Sequence, residues 1–560
     1  MRPPQRVLAP FAALVFGLLA PGLSPGLRAQ SCARTFGPMG PELRTSQTVS
    51  YDQIWSMVAR GTNRFTCAWS EGQDVYARQF DLALNPLGSQ FLVDTALNVG
   101  IQDEPAVCAG NAGTILIAWS ERNGYDGSLM GIFARVYDAA GQPITGEFLI
   151  NTTTWQSQWR PLIAPTPSGG YVVAWSGDGD GNSYFKILGP NGLWLTGDVP
   201  VNTYTFDAQV DPAPAVAPNG NIFIAFVDYS SHGGVGSGIN LWGRVFDASG
   251  NPLQNQEFPL TTFTSNGDQR DPRVAADGLG RFFVTWEGQL GDGSGYGIFA
   301  RIFDSSGVAR GPEFQVNTTV LNDQRAARIA VDSAGRAVIA FEDNSAGWPN
   351  VKVRARRFDG QGLPIAPDFV VNESPSSGAV LPSLAIDPAG NDLVIGFQGP
   401  GLPGNGQDVF AKRYTWSSGP QTFCTKKVNS LGCRPAIDFS GTPSATSASP
   451  FLITGTNILN QKLSLLFYGY GSAFTPFQGV TICVAPPLKR LPTQNSGGNV
   501  GPLDCSGNLS TDFNQRIQGG IDPGLVPGAT ISARWYYRDG QDPAGFGTGL
   551  SDAVRFAICP

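Results

Sequence analysis

Three observations predict an all-β chain: a seven-bladed β-propeller closed by an N-terminal strand, followed by a disulfide-stapled β-sandwich-like domain. First, 71 glycines and 43 prolines make 114 of 560 residues, about 20%, where about 12% is usual. Both are the poorest residues for a helix interior. Second, the chain is 41% hydrophobic and 11% aromatic but only 14% charged, a composition that can bury a core and does not fit disorder. Third, one strand-like phrase recurs seven times, its aromatic ends 50 to 60 residues apart, a period that marks a repeat architecture.

The first element, residues 1–29, has the layout of a secretion signal. Arg2 and Arg6 give a positive start, Val7 to Leu23 is mostly apolar, and Ala29 offers a cleavage point. Residues 30–40 form a lead. Ala29-Gln30-Ser31-Cys32 is a poor lipid-attachment box, and no later run of 18 apolar residues suggests a transmembrane segment. Loss of Arg2, Arg6 and Arg28 with the signal leaves 34 basic against 44 acidic residues, a net charge of −10. Such an acidic product with no basic cluster is a poor partner for nucleic acid or anionic membrane. The expected location is extracellular or on the cell surface.

The propeller is expected over residues 41–416. Its recurring phrase runs from Phe65–Trp69 and Ile115–Trp119 through Tyr171–Trp175, Ile222–Phe226 and Phe282–Trp286 to Ala337–Phe341 and Leu393–Phe397. Each repeat carries four short strand candidates bounded by Gly, Asn and Asp. Several strands are apolar at consecutive positions, as when both faces of a sheet are covered by neighbouring blades. Gly40-Pro41-Glu42-Leu43 through Asp52-Gln53 aligns without gaps to Gly311-Pro312-Glu313-Phe314 through Asp323-Gln324. A fourth-type strand therefore precedes the first repeat. The seventh repeat stops after its third strand, so the N-terminal strand is expected to complete it and remove the exposed edge.

Residues 417–560 break the pattern and hold Cys424, Cys433, Cys483, Cys505 and Cys559. In an oxidising compartment this cluster reads as disulfides. No C-x-x-C pair supports zinc. A local Cys424–Cys433 bridge is the favoured pairing, with the rest open. Strand candidates lie at Phe451–Gly455, Leu463–Tyr468, Ile531–Tyr537 and Val554–Cys559.

The phrase Ile298-Phe299-Ala300-Arg301-Ile302-Phe303-Asp304, followed by Glu313-Phe314-Gln315-Val316-Asn317-Thr318, resembles a repeat common in large exported bacterial proteins. The tail is similar to a cysteine-containing C-terminal module of secreted proteins from environmental bacteria. The likeness rests on Asn429-Ser430-Leu431-Gly432-Cys433-Arg434-Pro435, Ser496-Gly497-Gly498-Asn499, Asp504-Cys505-Ser506-Gly507 and the closing Leu550 to Pro560. Together they imply export and an adhesion-like or surface role, and they carry no catalytic motif.

In a four-stranded meander the loops after strands two and four share one face. Here the second-to-third loops are long and unequal, which places binding on that face. Acids at the loop starts, Glu121, Asp178, Asp228, Glu287 and Glu342, are the candidate binding residues. Asp178, Asp180 and Asn182 alternate with glycine and offer oxygen ligands for Ca2+. An EF-hand loop would need Gly and Glu where Ser183 and Gly189 stand, so the pattern is incomplete and no other cofactor is implied.

Arg78, Arg135, Arg244, Arg301 and Arg356 each precede an Asp by three residues, a recurrence expected of scaffold pairing at a strand end. The third repeat departs from it, with Phe185 and Gly189 near those places. Gln102, Gln158, Gln209, Gln269 and Gln324, with the neighbouring Asp103, Asp211, Asp268 and Asp323, are read as inter-blade joints. Asn151 and Asn317 head N-x-T triplets at strand ends and are not read as glycosylation sites. His232 is the sole histidine and has no nucleophile elbow beside it. The expected protein is a non-catalytic binding or scaffold protein for a glycan, surface polymer or protein. The alternatives are a glycan-active enzyme using acids at the channel and a purely structural envelope component.

Overall fold

The computed structural model describes residues 35–48, 51–95, 100–177, 181–230, 238–262, 267–372, 378–401, 406–417 and 419–560. The expected signal, Asp178, Asp180 and His232 lie outside them. Six four-stranded antiparallel sheets follow one another in sequence order, and a seventh takes strands from both ends of the repeat region. These are the seven blades. In blade 7, Gln407–Ser417 pairs with Leu43–Arg44 (Leu43 opposite Ala411). It also pairs with Thr35–Pro38, where Phe36 faces Trp416. The expected closure is present. It is reinforced by a strand from the lead segment that the sequence did not suggest.

The second strand of each blade explains the continuous apolar runs. Phe282–Gln289 is buried at every position but the last, because blades 4 and 6 cover its two faces. Phe223, Val245 and Leu260 of blade 4 pack against Phe282, Val284 and Trp286 of blade 5 in one cluster. The core is thus a series of slabs between blades. The anchors Trp69, Trp119, Trp175, Phe226, Trp286, Phe341 and Phe397 are all buried.

Two side-chain devices join successive blades. Asn151, Asn202 and Asn317, at the ends of fourth strands, donate to Gln158, Gln209 and Gln324 of the next blade at 2.9–3.2 Å. This supports the joint reading for those glutamines and explains the N-x-T triplets, whose asparagines are buried. The third-strand cations form the second device, and here the expected Arg–Asp pairing is corrected. Arg78, Arg135, Arg244, Arg301 and Arg356 donate to main-chain carbonyls of the preceding blade: Thr45, Val93, Val201, Leu260 and Val316. The aspartates instead cap their own turns, Asp304 accepting from the Ser306 and Val308 amides. Residues three apart on a strand point to opposite faces, so the pair could not meet. Blade 3 does not depart from the scheme. Lys186 takes the place and donates to Ile150, as Lys412 does to Val371 in blade 7.

The C-terminal region is a two-sheet sandwich with one helix, Phe513–Gln518. The larger sheet contains Gln421–Phe423, Thr548–Ala557, Thr530–Arg538 and Leu463–Tyr470 in that order. The smaller contains Ala436–Ser440, Leu452–Ile458 and Gly507–Asp512. Ile437 and Ile453 from one face meet Leu466, Trp535 and Phe556 from the other. Among the described residues Cys424 is bridged to Cys483 and Cys433 to Cys505, which corrects the expected Cys424–Cys433 bridge. Cys424 follows an edge strand of the large sheet, whereas Cys433 closes a turn capped by Asn429, so the two are carried apart. Cys559 is disulfide-bonded too. Buried Arg555 reaches from this sandwich to the Pro38 carbonyl of the closing strand at 2.7 Å. Among the described residues no helix is long and apolar enough to cross a membrane.

Candidate functional site

Every first strand lines the central channel, and every one carries a β-bulge near its start. The register breaks between Ile54/Met57, Asp103/Ala106, Trp159/Leu162, Val210/Ala213, Arg270/Arg273, Arg325/Arg328 and Val380/Ser383. At each break one non-glycine residue sits in the left-handed region: Trp55, Glu104, Arg160, Asp211, Asp271, Ala326 and Leu381, with φ between 48° and 59°. That conformation costs roughly 1–2 kcal/mol per residue. Bulges re-aim side chains beside functional sites.

On five of the blades the bulge amide is held from the preceding blade by the residue just after the aromatic anchor, Gln398 accepting from Trp55 at 3.4 Å. Ser120 and Ser176 accept from Arg160 and Asp211 at 3.1 and 2.9 Å. Glu287 and Glu342 accept from Ala326 and Leu381 at 2.6 and 2.7 Å. Two of the expected binding acids therefore hold the bulge ring together, and Glu287 also borders the channel cavity. Glu121 and Asp228, one residue further along, turn into their own loops. Glu121 caps the Asn123 and Tyr125 amides, and Asp228 accepts from Ser230 and Gln209. Neither is available to a ligand through those contacts. Asn182 accepts from Asn202 at 2.6 Å. Among the described residues no group of three or more His, Cys, Asp or Glu is placed to hold a metal.

The bulges surround a cavity of about 310 Å³ at the long-loop end of the channel. On blades 5 and 6, Arg273 and Arg328 both grip Asp271, at 2.8 and 2.9 Å. Burial opposes ionisation of Asp271, but the two guanidiniums outweigh it and hold the carboxyl below the usual range. Burial, then the like charge of Arg328, lowers Arg273 to about 10. On blades 2 to 4 the ratio is reversed, with Arg160 lying between Glu104 and Asp211 at 3.4 and 3.0 Å. Burial, then Asp103, raises Glu104. Asp211, expected as an inter-blade joint, pairs with Arg160 of the preceding blade and also faces this cavity. Asp103, Asp268 and Asp323 pair with Arg122, Arg270 and Arg325. The sequence signal for the ring is a charged residue before proline: Glu104-Pro105, Arg160-Pro161, Asp211-Pro212 and Asp271-Pro272. Inside a strand, proline marks a bulge.

Glu287 is a strongly perturbed carboxyl at the cavity. Burial pushes it up to about 7, and the Asp271 charge adds to the effect. A folded state that keeps a proton the unfolded chain has already lost becomes less stable as pH rises through that interval. Between about pH 4.5 and 7 the loss is on the order of 3 kcal/mol. Glu287→Gln keeps the acceptor for Ala326 but cannot ionise. Urea titrations are expected to show the variant equal to the parent near pH 4.5 and more stable at pH 8; identical curves at both values would refute this.

Exposed aromatic side chains are concentrated on the same face. Tyr51, Tyr125, Trp155, Phe206, Tyr229 and Trp348 lie in second-to-third loops or fourth-to-first connections, with Trp155, Phe206 and Trp348 63%, 71% and 69% exposed. On the tight-turn face of the propeller the one exposed aromatic among the described residues is Trp194, which covers the Lys186 ammonium at 3.8 Å.

No family model matches the chain, and no curated protein does. Among solved structures it is similar to a protein of unknown function from Dyadobacter fermentans (TM-score 0.42, 11% identity, 68% of this chain and 99% of that one). It is also similar to an alpha-L-arabinanase from Penicillium chrysogenum complexed with arabinobiose (TM-score 0.39, 14% identity, 55% and 92%). A third likeness is to the WD40 domain of coronin from Toxoplasma gondii (TM-score 0.41, 11% identity, 69% and 87%). Likenesses this distant carry no argument about activity.

Proposed function

We propose that this is an exported, non-catalytic glycan-binding protein that uses the long-loop face of its propeller. One observation carries the reading: six exposed aromatic side chains gather on the face that also bears the charged channel mouth. Aromatic rings are costly to leave in water and offer flat apolar surfaces with polar tips. A sugar ring offers the complement, an apolar C–H face edged by hydroxyls. Loops on a rigid scaffold are where such binding is built. The acidic, disulfide-bonded chain and its signal-like start support a role outside the cytoplasm.

Screening the purified protein on a glycan array is the test. At least one polymer is expected to bind, and Trp155→Ala and Trp348→Ala are each expected to weaken it by about fivefold, since a stacked ring is worth about 1 kcal/mol. Binding to no glycan would favour the purely structural role. A second reading, glycan cleavage, is favoured by one specific arrangement. Glu287 holds its proton near neutrality beside Asp271, which stays ionised, the division of labour used in glycoside hydrolysis. Release of reducing ends from a bound glycan, abolished in Glu287→Gln, would establish it; binding without release supports the non-catalytic reading.

A further inference from the structure

We propose that the channel mouth is a subsite for an acidic sugar, a uronate residue whose carboxylate is held by Arg273 and Arg328 while its hydroxyls donate to Glu104 and Asp211. This deepens the glycan-binding reading and rests on it.

The argument is one of charge and valence. Two guanidiniums share a single carboxylate on the Asp271 arc, leaving one positive charge in excess. Their Nε atoms are buried and have no hydrogen-bond partner. A buried guanidinium with unused donors is matched by a further carboxylate, which takes two parallel hydrogen bonds. On the adjoining arc Glu104 and Asp211 share Arg160 while Arg122 pairs with Asp103 and reaches Glu104, three carboxylates to two guanidiniums, leaving acceptor capacity and an excess of negative charge. An isolated anion would meet repulsion there, and a neutral sugar would leave the positive arc unmatched. A uronate carries one carboxylate and, across the same ring, hydroxyl donors, so a single residue answers both arcs.

Glu287 ties the subsite to pH. It faces Asp271 from blade 5, Arg325, Arg328 and the Ala326 amide from blade 6, and the Tyr296 phenol of its own blade. Its ionisation would cancel the excess positive charge of the Asp271 arc, so binding of an acidic sugar is expected to weaken as pH rises through about 7.

Calorimetric titration of the full chain with oligogalacturonate, with its carboxyl-reduced neutral counterpart and with a sulfated neutral oligosaccharide separates the outcomes. Oligogalacturonate is expected to bind at least tenfold more tightly than the other two. Its affinity is expected to fall at least threefold from pH 5.5 to 8.5 in the parent and to stay level in Glu287→Gln. Arg328→Gln is expected to lose about tenfold for oligogalacturonate while its binding of a neutral glycan at the Trp155 and Trp348 rim changes less than twofold, which also reports that it is folded. Equal binding of the acidic and reduced oligomers overturns the uronate subsite and leaves the glycan reading standing. Preference for the sulfated oligomer overturns the uronate assignment. Binding of no glycan at all overturns both.

Discussion

A chain lacking residues 35–44 is expected to lose at least about 5 kcal/mol of stability and to form soluble oligomers. The segment supplies both strands that cover Gln407–Ser417. Phe36 stacks on Tyr414 at 5.4 Å, meets Phe369 at 5.5 Å and lies under Arg357 at 4.1 Å. Loss of a fully buried ring costs about 3–5 kcal/mol, and half-buried Phe36 contributes part of that. Arg555, buried in the sandwich, would lose the Pro38 carbonyl, and a buried donor left unpaired costs about 1–3 kcal/mol more. The bare third strand of blade 7 would then offer a row of unpaired backbone groups to another chain. Chemical denaturation with size-exclusion chromatography measures both effects, and a synthetic peptide of residues 35–44 is expected to reverse them. A truncated chain that stays monomeric with an unchanged midpoint would contradict closure by this segment.

Trp286→Ala is the second large effect expected. The indole is 1% exposed, packs in the slab between blades 4 and 5, and donates to Gln269 at 2.9 Å. Truncation leaves a cavity worth about 3–5 kcal/mol and deprives Gln269 of its donor, so denaturation should shift more than in any rim variant. Trp286→Phe is expected to fall between, because it keeps most of the packing and loses the hydrogen bond. Trp155→Ala, which removes an exposed ring, is expected to change stability by less than about 0.5 kcal/mol. Similar losses for Trp286→Ala and Trp155→Ala would mean that the aromatic residues do not divide into scaffold and rim.

That division was only half legible in the sequence. Scaffold aromatics repeat with the blade, so Trp69 through Phe397 announced themselves, as did the gapless alignment of Gly40–Gln53 with Gly311–Gln324. Rim aromatics such as Trp155 and Trp348 occur once each in unequal loops and carry no period. Strand alternation decided which acids matter. Glu287 directly follows its anchor Trp286 and points to the next blade's bulge, whereas Glu121 lies two past Trp119 and points into its own loop. A one-residue offset exchanges faces, and acids at equivalent loop starts can differ by that one residue. The Arg–Asp recurrence misled for the same reason: spacing of three is a helical neighbour and a strand opposite. The ion-pair arcs at the channel mouth join residues of different blades and had no local signature beyond the prolines. The disulfides likewise follow the sandwich, which brings Cys433 to Cys505 across 72 residues.

Hydrogen exchange of the full chain, with and without saturating oligogalacturonate, tests most directly that ligand binding belongs to the long-loop face over the channel mouth. Exchange is expected to slow in peptides containing Trp155, Tyr229, Asp271 and Trp348, and to stay unchanged in the tight turn Asp304–Gly307 and in the C-terminal sandwich. Slowing confined to the tight-turn face or to the sandwich, with none around those four residues, would contradict the account.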